Sequence, residues 1–188
     1  MQHAGRDDRA EPEPEPEPEP DPESVAHTIC LRLLTTSPRS RAQLADALRR
    51  RNVPEVSAEV VLDRLAAVGL VDDQAFAAAW VQSRHRGRGL ARRALAVELR
   101  RRGVEAEAVA GAVETLDSDQ ELQRARDLVL RRLPATEGLP HAARLRRLSG
   151  LLARKGYPAG LIRQVVREAL VPPKEGPELP AFAPEDQD

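Results

Sequence analysis

Aromatic residues are almost missing from this chain: one Trp, one Tyr and two Phe among 188 residues. A core built on stacked rings is therefore excluded, and so is a row of base-stacking platforms. Isoleucine is scarce and no useful length of alternating apolar residues occurs, so there is no strand pattern. Ala and Leu dominate the apolar set, which favours helices. The single cysteine, Cys30, rules out an intrachain disulfide and argues against a cysteine-based metal site. The N-terminus carries no apolar h-region and no run approaches 18 apolar residues. A cytoplasmic protein without membrane contact is expected.

Catalytic patterns are absent too. His3, His27, His85 and His141 show no metal-ligand spacing such as HExxH. No phosphate-binding GxxxxGK[ST] loop exists, and "GRG" at 87–89 is too short to stand for one. Cys30 lies in the apolar stretch "VAHTICLRLL" and reads as core rather than nucleophile. Asp72 and Asp73 stand at a helix start, where carboxylates cap amides and favour the dipole. The expectation is a non-enzyme with no catalytic residues, metal or cofactor.

What is present is charge, unevenly spread. The formal net charge is only -1, yet residues 1–24 hold nine acids against two bases and residues 171–188 five against one. Residues 25–170 therefore carry 26 bases against 16 acids, a balance of +10. Of the 29 bases only two are Lys, a bias that GC-rich coding produces as readily as selection for guanidinium chemistry. Where the arginines sit thus outweighs how many there are. Residues 1–24, with the "EPEPEPEPEP" run at 11–20, and the proline-rich "VPPKEGPELPAFAPEDQD" at 171–188 read as disordered acidic tails.

Between the tails the chain repeats itself. "LADALRRRNV" (44–53), "LAVELRRRGV" (95–104) and "LSGLLARKGY" (148–157) recur at shifts of 51 and 53 residues. Each has Leu at i and i+4: Leu44 and Leu48, Leu95 and Leu99, Leu148 and Leu152. Each runs into bases and then Asn52, Gly103 or Gly156, residues suited to the left-handed turn that stops a helix. Val53, Val104 and Tyr157 follow. A further amphipathic helix comes after each stop, and another helical stretch precedes each pair, at 25–35, 73–86 and 119–133. Asp72 and Ser118 are the predicted N-caps of the second and third of these. The fold class read from this pattern is all-α: three tandem three-helix repeats, nine helices, in an elongated, curved molecule. The predicted boundaries are 25–71, 72–117 and 118–170. Helices of this length measure ~18–23 Å, so three units end to end would span on the order of 60 Å. A compact nine-helix bundle is the alternative.

The middle unit concentrates positive charge: eight arginines face one glutamate between positions 84 and 102. Arg84, Arg86 and Arg88 surround a glycine-containing turn, and Arg92 and Arg93 open the next helix. Cations in a first turn oppose the helix dipole, so Arg92 and Arg93 are expected to serve something outside the fold. Arg100, Arg101 and Arg102 occupy a last turn, where cations are locally favoured, and the same discount covers Arg154 and Lys155. Phe76 and Trp80, at i and i+4, read as core packing. The partners suited to such a surface are phosphate backbones or acidic protein surfaces.

The stretch 69–104, "GLVDDQAFAAAWVQSRHRGRGLARRALAVELRRRGV", resembles the signature region of the RecX family, bacterial regulators of the RecA recombinase. The matching residues are Gly69, Asp72, Asp73, Phe76, Trp80, Arg84, Gly89, Leu95, Leu99, Gly103 and Val104. "SRH" and "RALAVEL" resemble actinobacterial members, and "LLARKGYPAGLIRQVV" resembles the family's closing repeat. Val71 departs from an aromatic or Ile in many members, "PATEGLP" is an insertion, and the Glu-Pro tail matches nothing in the pattern. The resemblance covers about 25–170 and implies three tandem three-helix repeats. It also implies a monomer that binds the RecA filament on single-stranded DNA, with at most weak direct contact to DNA. Inhibition of filament growth, ATP hydrolysis, strand exchange and the co-protease activity behind the SOS response would follow. On that reading Arg84, Arg86, Arg88, Arg92, Arg93, Arg100, Arg101, Arg146 and Arg147 contact the partner. Gly69, Asp72, Asp73, Phe76, Trp80, Gly89, Leu95, Leu99 and Gly103 form the framework. A sequence-independent DNA-binding protein made of basic helical repeats, or a pure scaffold, remains the alternative from composition alone.

The N-terminal tail reads first as a solubility device and second as an acidic competitor for the basic body. Removing residues 1–24 is expected to leave partner affinity unchanged. A rise in affinity at low salt, read by fluorescence anisotropy, would establish competition instead.

Overall fold

A computed structural model describes residues 21–171, and the predicted acidic tails lie almost wholly outside that span. Among the described residues there are nine α-helices and no strand: α1 (Pro22–Thr36), α2 (Arg41–Arg49), α3 (Glu55–Ala67), α4 (Asp73–Arg88), α5 (Arg92–Arg101), α6 (Ala106–Glu114), α7 (Ser118–Arg132), α8 (His141–Arg154) and α9 (Ala159–Leu170). A 3₁₀ turn at Pro134–Thr136 occupies the inserted segment before α8. Helix α1 begins earlier than its apolar pattern suggests, inside the stretch read as tail. Asp21 accepts from the amides of Glu23 and Ser24, and Pro22 fills the first helical position, where a missing N–H costs nothing. Ser118 is the first residue of α7 rather than its cap. The cap position belongs to Asp117, whose side chain makes no capping bond.

The helices pack in threes, and each triplet closes its own core. Cys30, Leu44, Leu48 and Leu62 are fully buried in the first, Leu95, Leu99, Ala77 and Val81 in the second, and Leu148, Leu152, Ala125 and Val129 in the third. The six leucines of the repeated pairs are all fully buried, each contributing roughly 1.5–3 kcal/mol of transfer free energy. The extensive helix-on-helix packing lies inside each triplet, which sets aside the compact nine-helix bundle.

The repeated stops have one geometry. Asn52, Gly103 and Gly156 take φ of 58°, 75° and 85°. The amide after each bonds back to a core leucine, Val53 to Leu48, Val104 to Leu99 and Tyr157 to Leu152, all at 3.2 Å. That is the doubly bonded left-handed C-terminal turn that absorbs orphan carbonyls.

These turns also join the units. The N-terminus of α2 rests on the C-terminal turn of α5: the Ser40 hydroxyl donates to Arg102 O at 2.6 Å. The N-terminus of α5 rests in the same way on the turn of α8, with Ala91 N donating to Lys155 O at 2.9 Å. Acids from the neighbouring units cap the docked ends. Asp73 Oδ1 accepts from Arg41 N at 2.8 Å, and Glu121 Oε1 from Arg92 N at 3.0 Å. Tyr157 adds a bond to Gly89 O at 3.2 Å, and burial, then the nearby Glu121, push its hydroxyl pKa up.

At the two stops that meet a neighbouring unit, Gly103 and Gly156, glycine is needed for space as well as for φ. A Cβ on Gly156 would meet Ala94 N at 2.7 Å, and one on Gly103 would overlap Ala42 Cβ. Gly69 shares the conformation, with φ of 73°, but faces open space. Gly69→Ala is therefore expected to cost about 1 kcal/mol, the left-handed penalty alone. Gly156→Ala should cost on the order of 2–4 kcal/mol, because packing overlap adds to it. Urea melts of the two variants would measure the difference; equal losses would mean the junction has slack.

Candidate partner-binding surface

Helix α4 starts where its sequence says it should. Asp72 caps it through bonds from Gln74 N and Ala75 N, both at 2.9 Å. Phe76, Ala77 and Val81 point into the core of the middle unit, while Trp80 is only half-buried at its edge. Trp80 Nε1 donates to Glu98 Oε2 at 3.0 Å, and Phe76 stacks on the indole at 5.9 Å between centroids. The guanidinium groups of Arg84 and Arg102 lie over its ring at 4.1 Å and 3.7 Å. Trp80 is thus part framework, as the sequence suggested, and part platform for cations. At the far end of α4, Gly89 turns left-handed at φ 63°, and buried His85 sets Nδ1 2.9 Å from Leu90 O, to which it donates.

The arginines of this unit divide into those the fold uses and those it leaves unbalanced. Arg92 is used, contrary to the dipole argument. Its guanidinium donates to Leu116 O at the end of α6, and its Nε stands 3.8 Å from Glu121 Oε2. The nearly buried Glu121 supplies negative charge at the start of α5, which sequence spacing alone could not place there. Arg93 and Arg101, on the same helix, point instead into a cleft of about 600 Å³ between α5 and the α8–α9 hairpin, where Arg154 joins them. Arg154 also borders an adjoining groove with Arg132, Arg146 and Arg147, so these six side chains form one continuous basic surface. None of the six has an ion-pair partner among the described residues.

The remaining predicted contacts lie elsewhere. Arg86 and Arg88 are exposed at the end of α4, and their carbonyls accept from Arg124 and Lys155. Arg100 is exposed and borders neither of these clefts. Arg84 belongs to a separate cleft, shared with Arg39 and Arg102. Burial, then Arg124 and Arg88, hold the Lys155 ammonium below its ordinary pKa, as expected inside a cluster of cations. Sequence reasoning passed over Arg39 and Arg132 and discounted Arg154 as a helix-end cation. The last was legible, since Arg147, Leu151 and Arg154 fall at i, i+4 and i+7 on one face of α8.

Comparison with known proteins decides the family. Profiles for the first, second and third three-helix domains of RecX match residues 26–65, 72–113 and 119–166. The chain belongs to the RecX family. It is 63% identical over 145 residues to the regulatory protein RecX of Streptomyces lividans, covering 77% of each chain. With that of Thermobifida fusca it shares 58% over 161 residues, 86% of each chain. Its role is that of a RecX-type regulatory protein. The crystal structure of RecX from Lactobacillus salivarius has the same fold, with a TM-score of 0.73 at 16% identity over 79% of this chain and 96% of that one.

Several RecX signature residues are structural in this fold. Asp72 caps α4, Asp73 caps α2 of the preceding unit, Leu95 and Leu99 fill the core, and Gly69, Gly89 and Gly103 take left-handed turns. A charge reversal should separate the two kinds of arginine. Arg92→Glu would set two carboxylates together beside a carbonyl left without its donor, and is expected to cost on the order of 2 kcal/mol. Arg93→Glu is expected to change stability by less than about 0.5 kcal/mol. Thermal melts followed by circular dichroism would check both; equal melting temperatures would return Arg92 to the free surface.

Proposed function

We propose that this chain restrains the cognate RecA recombinase in the cytoplasm, as a monomer bound along the RecA filament on single-stranded DNA. It would thereby limit filament growth, ATP hydrolysis, strand exchange and co-protease activity, and so the SOS response. Membership in the RecX family supports the reading, and so does the surface of Arg93, Arg101, Arg132, Arg146, Arg147 and Arg154. That surface crosses the junction of the second and third units, so it suits a partner that is itself extended and repeating. A polyanionic filament, acidic protein with DNA phosphates exposed in its groove, has that character.

Single-stranded-DNA-dependent ATP hydrolysis by RecA, titrated with this protein beside a binding series on naked DNA at several salt concentrations, tests the proposal. Inhibition is expected well below one copy per RecA, at salt where naked DNA is hardly bound. Arg93→Glu with Arg101→Glu should weaken it by roughly ten-fold or more, since each desolvated charge pair lost is worth about 1–3 kcal/mol. Inhibition only at concentrations that coat the DNA would instead favour a general DNA-binding protein acting by competition for phosphates.

A further inference from the structure

The second basic cleft has a different construction. It lies where the loop before α2 meets α4 and the end of α5, and encloses about 370 Å³. Three arginines line it: Arg39 from the loop, Arg84 from α4 and Arg102 from the cap of α5. Among the described residues none of the three forms an ion pair. The nearest acid on this helix, Glu98, is engaged with Trp80 Nε1 and borders the opposite cleft. Arg39 Nε is shielded from solvent and has no hydrogen-bond partner. Burial, and then the charge of Arg84, hold the Arg102 guanidinium below its ordinary pKa.

The cations are also held in place. Phe76 and the Glu98 bond fix the Trp80 ring, and the ring carries Arg84 and Arg102 on its π-system. Arg39 is anchored next to Ser40, whose hydroxyl ties the loop to Arg102 O. These three arginines have no acid beside them in the lining, Glu98 acting on Arg102 from behind the indole. With the hydroxyls of Ser37 and Ser83 beside them they match a group bearing three acceptor oxygens. A carboxylate offers two. The indole is already occupied by the arginines, so a stacked base is not what the cleft is shaped for.

We propose that this cleft is a phosphoryl-binding site, accepting a terminal phosphate through Arg39, Arg84 and Arg102. The site is independent of RecA and would exist in the isolated protein. Two sources carry such a group: a free phosphate compound and the end of a nucleic-acid strand.

Trp80 is the sole tryptophan of the chain and lines this cleft, so its fluorescence reports on binding there. Arg93→Gln controls for a signal reaching it through Glu98 from the opposite cleft. The test titrates the full-length protein with pyrophosphate at constant ionic strength. A saturable change in Trp80 emission is expected, weakened at least about ten-fold in Arg39→Gln and unaltered in Arg93→Gln, with circular dichroism melts confirming that both variants fold. A short oligonucleotide with a 5′-phosphate and its dephosphorylated twin separate the sources. Tighter binding of the phosphorylated strand assigns the site to a strand end, and equal binding of the twins beside a pyrophosphate response assigns it to a free phosphate compound. No saturable change, a change that follows ionic strength alone, or a response to polyglutamate without one to pyrophosphate would overturn the proposal. None of these outcomes depends on RecA, so failure here leaves the filament reading untouched.

Discussion

A helix end is a place of unmet demand: free amides at one terminus, free carbonyls at the other, and a dipole that sums them. In this protein the two demands answer each other across units. The left-handed turn ending α5 meets the start of α2, and the turn ending α8 meets the start of α5. The middle helices therefore stack with positive end on negative end, and the repeat of three units follows from repeating that contact. The junctions are close-fitting, with Ala42 and Ala94 against glycine, and the one between the second and third units also buries Ala91 against the third core. Each triplet still closes around its own leucine pair, which anchors its stability.

This contact also explains where the positive charge gathers. A helix stop favours cations in its last turn, and the stops ending α5 and α8 stand at unit junctions. Arg101 and Arg102 at the end of α5, and Arg154 and Lys155 at the end of α8, thus stand in clefts between units or against the neighbouring unit's backbone. The capping explanation and the binding explanation do not compete at these positions. A guanidinium can favour the dipole through its place on the helix while its charge remains available in the cleft.

The fold was largely legible because its determinants are local. Leu pairs at i and i+4 and an Asn or Gly after a run of bases are read within ten residues, and the structure buries each of those leucines and turns each of those stops left-handed. The basic surface was legible only in part. Arg93, Arg101, Arg146 and Arg147 come together as a group, but Arg92 is explained by Glu121, 29 positions away, and no periodicity reveals that pairing. Asp73 reads correctly as a helix-start acid, yet it caps α2 rather than α4. Arg39 sits in a loop with no pattern at all, and only the junction gives it company.

Charge balance, more than charge count, then separates structure from interaction. Arg41 meets Glu59 and Asp63, Arg126 meets Glu168 and Arg92 meets Glu121, and these pairs hold helices of one unit or of adjacent units together. The arginines of the two clefts form no ion pair among the described residues, and the one acid near them, Glu98, is bonded to Trp80, so much of their mutual repulsion persists in the folded protein. Repulsion of that kind weakens the fold slightly and is relieved when an anion arrives, which makes binding favourable and sensitive to salt. A near-neutral net charge conceals this, because acids outside the repeats offset the sum without balancing the clefts. On the proposed reading, binding is set by local imbalance at the junctions, the places where the fold itself had to be made.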